Sequence, residues 1–129
     1  MTVFDRLFII AGCIFLTAGG MLGAYGFHGL ANVLGPDARA SWEWAVQMQY
    51  YHSLGLILVG ILGIQLGVSW FFRLAGLLMI VGILIFSGLV YAEYTVGIPA
   101  ALGRIVPSGG TAMMASWLAL AIGVFRARI

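Results

Sequence analysis

The sequence predicts an all-α membrane protein, a four-transmembrane-helix bundle with both termini cytoplasmic. Two observations carry the fold class. The chain is 63% hydrophobic and only 8% charged, with a mean hydropathy of +1.10, whereas a soluble domain is about a quarter charged; so few charges cannot clothe a water-facing surface. The charges are also segregated, because residues 7–36, 44–72, 74–92 and 105–125 hold none. At 1.5 Å per residue, about 20 apolar residues cross a hydrocarbon layer roughly 30 Å thick. Each stretch supplies about that length. Lipid offers no water to unpaired backbone groups, and the runs are continuously apolar rather than alternating, so helices are expected rather than barrel strands.

The reading gives one domain, 1–129, with helices near residues 4–27, 37–67, 74–94 and 107–125. The first follows a short polar start at Asp5 and Arg6. Its Ile10-Ala11-Gly12-Cys13 resembles a lipoprotein cleavage box, but the apolar run before it is too short for a signal core and the run after it continues to Phe27, so it reads as a membrane helix. Residues 28–41 form the one sizeable polar connection. Within it Gly35-Pro36-Asp37 reads as a helix start, with Asp37 at the positive end of the helix dipole and Arg39 and Glu43 spaced to pair along the helix face. The second helix then either begins outside the membrane near Asp37 or carries a kink before Tyr50. Residues 68–73 read as a tight connection bearing the interfacial anchors Trp70, Phe71 and Phe72. Residues 96–106, with Gly97, Pro99 and Gly103, read as a loop, and Pro107 suits the first position of the fourth helix.

Four spans put both termini and the 68–73 connection on one side. That side holds Arg6, Arg73, Arg126 and Arg128, against Arg39 and Arg104 on the other, and the positive-inside rule places the richer side in the cytoplasm. Small residues also follow helical spacing: Gly12, Gly19, Gly23 and Gly26 on the first helix, Ala115, Ala119 and Gly123 on the fourth, and Gly63 and Gly67 on the second. Such stripes let helix backbones approach in lipid, either within the chain or between copies of it.

Polar groups inside lipid are costly, so their positions point to function. Under this topology they collect at the outer end of the bundle. The candidates for a polar outer mouth are His28, Gln49, His52, Ser87, Tyr91, Ser108 and Thr111, joined by Tyr25, Trp42 and Ser53. Two histidines invite a metal or haem reading, but no cysteine or second carboxylate completes a ligand spacing, so no metal and no cofactor are expected. Trp117, in mid-helix, is expected to lie against the glycines of a neighbouring helix. Glu93 and Arg104 flank one loop and are placed to pair. No nucleophile triad, phosphate loop, paired carboxylates or mid-span charge appears, which argues against an enzyme and against a proton-coupled carrier. Net charge is +2 without a single lysine, leaving no basic face for nucleic acid. Cys13 stands alone, so no intrachain disulfide forms.

The stretch Gly23-Ala24-Tyr25-Gly26-Phe27-His28-Gly29-Leu30 is followed by Trp42, Gln49, Tyr51-His52, Phe86-Ser87-Gly88, Tyr91, Pro107-Ser108-Gly109-Gly110 and Trp117. Together these resemble the domain-of-unknown-function 423 family, small bacterial inner-membrane proteins with a mitochondrial relative in animals. The resemblance covers nearly the whole chain and implies four membrane helices without an assigned activity. Departures are Gly26-Phe27-His28 where the family has Gly-Ala-His, Val106-Pro107 where it has Thr-Pro, and Glu93 at a position typically apolar. The expected function is a non-enzymatic accessory or scaffold subunit of the inner membrane, partnered by the bilayer and by itself as a homo-oligomer or a larger complex. The alternatives are a small-solute carrier or channel built from an oligomer, and a haem, metal or quinone redox protein.

Overall fold

The computed structural model describes residues 1–128, so the last residue of the 1–129 domain lies outside the described residues. The described residues form helices and connections only. In order these are α1 (Val3–Ala24), extended by a π-helical turn Tyr25–Gly29; α2 (Pro36–Leu66); α3 (Trp70–Gly82), continued through a second π turn Ile83–Ser87 into α4 (Gly88–Thr95); the short α5 (Ala100–Gly103); and α6 (Val106–Arg126). They make four spans long and apolar enough to cross a membrane: Val3–Gly29, Pro36–Leu66, Trp70–Thr95 and Ala100–Arg126.

The helix starts have local causes. Thr2 and Asp5 close a capping box on α1, the Thr2 hydroxyl accepting from the Asp5 amide and the Asp5 carboxylate from the Thr2 amide; two otherwise orphaned donors are thereby satisfied. Gly35 caps α2, with Pro36 in its first turn, where a missing N–H costs nothing. α2 then runs as one unbroken helix to Leu66. The third span starts at Trp70 rather than at residue 74, because the Ser69 hydroxyl accepts from the Phe71 amide and caps the helix one turn before the arginine. Gly67 ends α2 and opens the connection to α3 at φ 91°, and Gly97 follows α4 at φ 76°, a region that L side chains avoid. The segment read as a loop over residues 96–106 contains α5. Arg39 donates to the Ala31 carbonyl at 2.7 Å, fastening the first connection to α2.

The four spans pack as two antiparallel hairpins. In the first, glycines of either helix meet bulk on the other: Gly26 against Trp42, Gly23 against Val46, Gly19 against Tyr50, Gly12 against Ile57, and, from the α2 side, Gly60 against Ile9 and Gly63 against Asp5. The pairs step evenly down the two helices. A Cβ on Gly12 would stand 2.6 Å from the Ser53 carbonyl oxygen, so the backbones are in direct contact there. In the second hairpin Gly82 meets Met113, Gly109 meets Phe86 and Gly123 meets Phe72. The α1 stripe of Gly12, Gly19, Gly23 and Gly26 lies against α2; on α6 Ala119 and Gly123 are buried and Ala115 half-buried, and of the α2 pair Gly63 meets Asp5 whereas Gly67 has nothing within 4 Å. The hairpins join through α2 and α3 around Phe8, Leu56, Val59, Phe72, Met79, Met113 and Leu120, with Met79 and Trp117 seated on Gly55. α1 and α6 stay on the outside, with Leu7, Ile14, Met21, Met114 and Leu118 exposed as a surface for lipid.

Candidate functional site

α2 carries the polar side chains, and the physical reason is where it sits. It is the most interior span, burying Trp42, Gln49, His52 and Ser53, and only an interior helix holds polar groups in lipid at low cost. Four of its residues are bonded to other helices. The Trp42 indole Nε1 donates to the Leu22 carbonyl of α1 at 2.9 Å. The Gln49 amide Nε2 donates to the Phe15 carbonyl of α1 at 2.8 Å, while its Oε1 accepts from the Tyr91 hydroxyl of α4 at 2.6 Å. Ser87, in the second π turn, donates to the Ala45 carbonyl at 2.8 Å. From α6 the Trp117 Nε1 donates to His52 Nε2 at 3.0 Å. Every other span is therefore hydrogen-bonded to α2.

His52 is fixed in one tautomer by its partners. An indole only donates, so Nε2 accepts, and the ring proton sits on Nδ1, which donates to the Met48 carbonyl at 2.6 Å. Neither nitrogen is left over for a metal. Ser53 and Ser116 bond back to their own helices, and among the described residues no buried side-chain nitrogen or oxygen lacks a partner. Carbonyls accept these extra bonds because each has a second lone pair beyond its helical bond. The π turns lie beside the network: Ser87 belongs to one, and the other brings Gly26 onto the Trp42 indole. π turns recur at functional sites because the extra residue re-aims side chains. Trp42 also stacks obliquely on Tyr91, centroids 4.8 Å apart.

The structure brings Gln49, Tyr91 and Ser87 together around α2, with His52 a turn further along and facing Trp117. It does not bring His28, Ser108 or Thr111 to them. His28 is exposed in the first π turn, edge-on to Phe27; Ser108 and Thr111 are exposed and bond the Ile105 and Pro107 carbonyls of their own turn. Depth differs too. Gln49 lies about 20 Å along the axis from Pro36 at 1.5 Å per residue, and its partner Phe15 is mid-way along the first span. Gln49 and His52 are thus deep in the bundle, while His28, Ser108 and Thr111 sit at the end of the connections. Among the described residues no three His, Cys, Asp or Glu side chains gather as a metal would need.

The Trp117–His52 bond was not anticipated from sequence. The signal for it was a mid-span indole N–H, which needs an acceptor in lipid, and the neighbouring helix offered one imidazole. Asp5 reads in the sequence as part of a polar start, and Thr2 three residues earlier marks the capping box it closes.

Comparison with known proteins agrees with this architecture. Residues 22–110 match the model of a family described as Protein of unknown function (DUF423); the matched stretch contains Trp42, Gln49, His52, Ser87 and Tyr91, while Trp117 lies beyond it. Relatives include a UPF0382 membrane protein of Staphylococcus haemolyticus, 39% identical over 125 residues, covering 94% of this chain and 97% of that one. A UPF0382 membrane protein of Staphylococcus saprophyticus is 37% identical, covering 94% and 98%, and the UPF0382 membrane protein YwdK of Bacillus subtilis is 36% identical, covering 94% and 98%. No solved structure matches. The chain belongs to the DUF423 family, a membrane protein of unknown function built on four helices able to cross a bilayer.

Proposed function

We propose that the protein is a non-enzymatic accessory or scaffold subunit of the bacterial inner membrane, with both termini in the cytoplasm, that associates with itself or within a larger membrane complex. One observation carries the reading: the buried polar groups are committed to one another and to the backbone. Moving a solute or ion needs donors and acceptors free to replace its hydration shell, and general acid–base work needs a group free to exchange a proton with substrate. The intramembrane polar groups serve instead to hold three spans to α2. Partner recognition falls to the outer faces of α1 and α6 and to the exposed Phe27 and His28 at the connection end. Native mass spectrometry of the protein extracted gently from its own membrane tests this. A reproducible oligomer or hetero-complex is the expected result; a monomer under all mild extractions would overturn it.

A second reading, a binding site for a small solute, is favoured by a cavity of about 230 Å³ where the first π turn meets the start of α2, lined by Gly23, Gly26, Trp42 and Val46 with Arg39 and Glu43. An apolar pocket with a few convergent polar groups is the usual form of such sites. Replacing Glu43, an exposed lining residue, by Trp would obstruct it without entering the α1–α2 contact. Loss of function with unchanged complex formation would favour the solute reading over the scaffold.

A further inference from the structure

The two ends of the bundle differ in charge. The end with the termini carries Arg6, Arg73, Arg126 and Arg128 against one acidic side chain, Asp5, which is buried and held in its capping box. The connection end carries Arg39 and Arg104 against Asp37, Glu43 and Glu93. At the termini end, where the start of α3 meets the end of α6, lies a cavity of about 400 Å³ lined by Ser69, Trp70, Phe71, Gly123, Arg126 and Arg128. Its floor is closed where Phe71 and Phe72 pack directly on Gly123. The Arg126 guanidinium stands 5.4 Å from the Phe71 ring centroid, a cation–π contact that directs it toward this wall. On its wall Trp70 is 67% exposed and Val68 69%, and Phe125, next to Arg126 in the chain, is 90% exposed.

We infer that this cavity binds the headgroup phosphate of an anionic phospholipid. The chemistry recognised is a phosphate, which guanidinium groups engage through paired N–H donors. The lipid, rather than free phosphate, is the source, because the exposed apolar side chains Trp70 and Val68 beside the arginines suit acyl chains rather than water. A headgroup on Arg126 and Arg128 places its chains along Phe125 and the outer face of α6. A phospholipid without net charge leaves the surplus of arginine at this end uncompensated; an anionic one does not. Basic pockets between membrane helices take lipid headgroups on this principle. The headgroup site lies at the opposite end of the bundle from Phe27 and His28, and it stands whether or not the outer face of α6 also meets a partner.

The test uses the full-length protein, delipidated and offered phosphatidylglycerol and phosphatidylcholine of equal chain length, with bound lipid read by native mass spectrometry. A preference of roughly thirtyfold for phosphatidylglycerol is expected, the scale of two arginines at an anionic surface. The double variant Arg126→Gln/Arg128→Gln should lose it, whereas Arg39→Gln/Arg104→Gln, at the other end, should keep it. Equal binding of the two lipids by the native chain, or the same loss in both double variants, would overturn the proposal. Inorganic phosphate at millimolar concentration is the arm that separates sources. It should leave the lipid bound, and its displacing the lipid completely would assign the site to free phosphate and sink the lipid reading. If the arginine variant fails to fold, the native protein still decides through tryptophan quenching. Brominated phosphatidylglycerol should quench more strongly than the brominated phosphatidylcholine, and equal quenching rejects the site.

Discussion

At the scale of single residues, Gln49 bears the most connections, since one side chain links α1, α2 and α4. Replacing it with Leu removes two interhelical bonds, each worth about 0.6 to 1.7 kcal/mol in a bilayer, and leaves the Tyr91 hydroxyl without its acceptor. A loss of about 2–3 kcal/mol in the stability of the bundle is expected, measured by unfolding in mixed detergent with increasing dodecyl sulfate. Gln65→Leu is the control: Gln65 is exposed near the end of α2, and its replacement should be within about 0.5 kcal/mol of neutral. Equal losses would mean that the Gln49 bonds contribute nothing net. Trp117→Phe keeps an aromatic ring over Gly55 but removes the N–H that meets His52. It should cost about 1 kcal/mol in the same assay. Which residue types mattered was legible in the sequence, because a Gln, a His or an indole in an apolar run is expensive unless paired. Their partners were not legible. Phe15, Leu22 and Ala45 accept through backbone carbonyls, and a backbone acceptor has no signature in residue type.

At the scale of elements, glycine spacing decides which helices touch. Gly12 and Gly20 lie on the same helix, yet their surroundings differ. A Cβ at Gly12 meets the Ser53 carbonyl at 2.6 Å and Ile57 at 2.7 Å, whereas at Gly20 only the Tyr50 hydroxyl comes within range, at 3.7 Å. Gly12→Ala is therefore expected to push α1 off α2 and to cost about 1–3 kcal/mol, the scale of overpacking. Gly20→Ala should be neutral or stabilising by up to about 1 kcal/mol, because alanine favours a helix interior. Thermal unfolding of both variants in one detergent checks the pair, and a reversed order would mean that α1 does not seat on α2 along this face. The four spans and the α1 stripe could be read from charge gaps and small-residue spacing. The start of α3 could not, because the Ser69 cap competes with the arginine that appeared to bound the helix. The two π turns escaped as well: an inserted residue changes hydrogen-bond register without changing hydropathy, so YGFHG and ILIFS look like ordinary helix.

At the scale of the whole molecule, orientation rests on the same charge difference that singles out the arginine cavity. Both termini lie at one end of the bundle, shown by the Arg73 guanidinium of α3 over the Phe4 ring of α1 at 4.5 Å and by Gly123 of α6 against Phe72. Two of the four arginines at that end, Arg6 and Arg73, sit in the first turns of their helices, and Arg126 sits in the last turn of α6. All are close enough to a span to bias insertion, which counts basic residues near helix ends. A reporter that fluoresces only in the cytoplasm, fused after Arg128, should therefore be bright, and a periplasm-active phosphatase inserted near Gly97 should be active. Arg73→Gln together with Arg126→Gln leaves two arginines at either end. Such a chain has no basic bias and should insert both ways, giving intermediate signal from both reporters. Unchanged orientation in that variant would show that orientation is set by something other than arginine number, and the charge argument for cytoplasmic termini would fall with it.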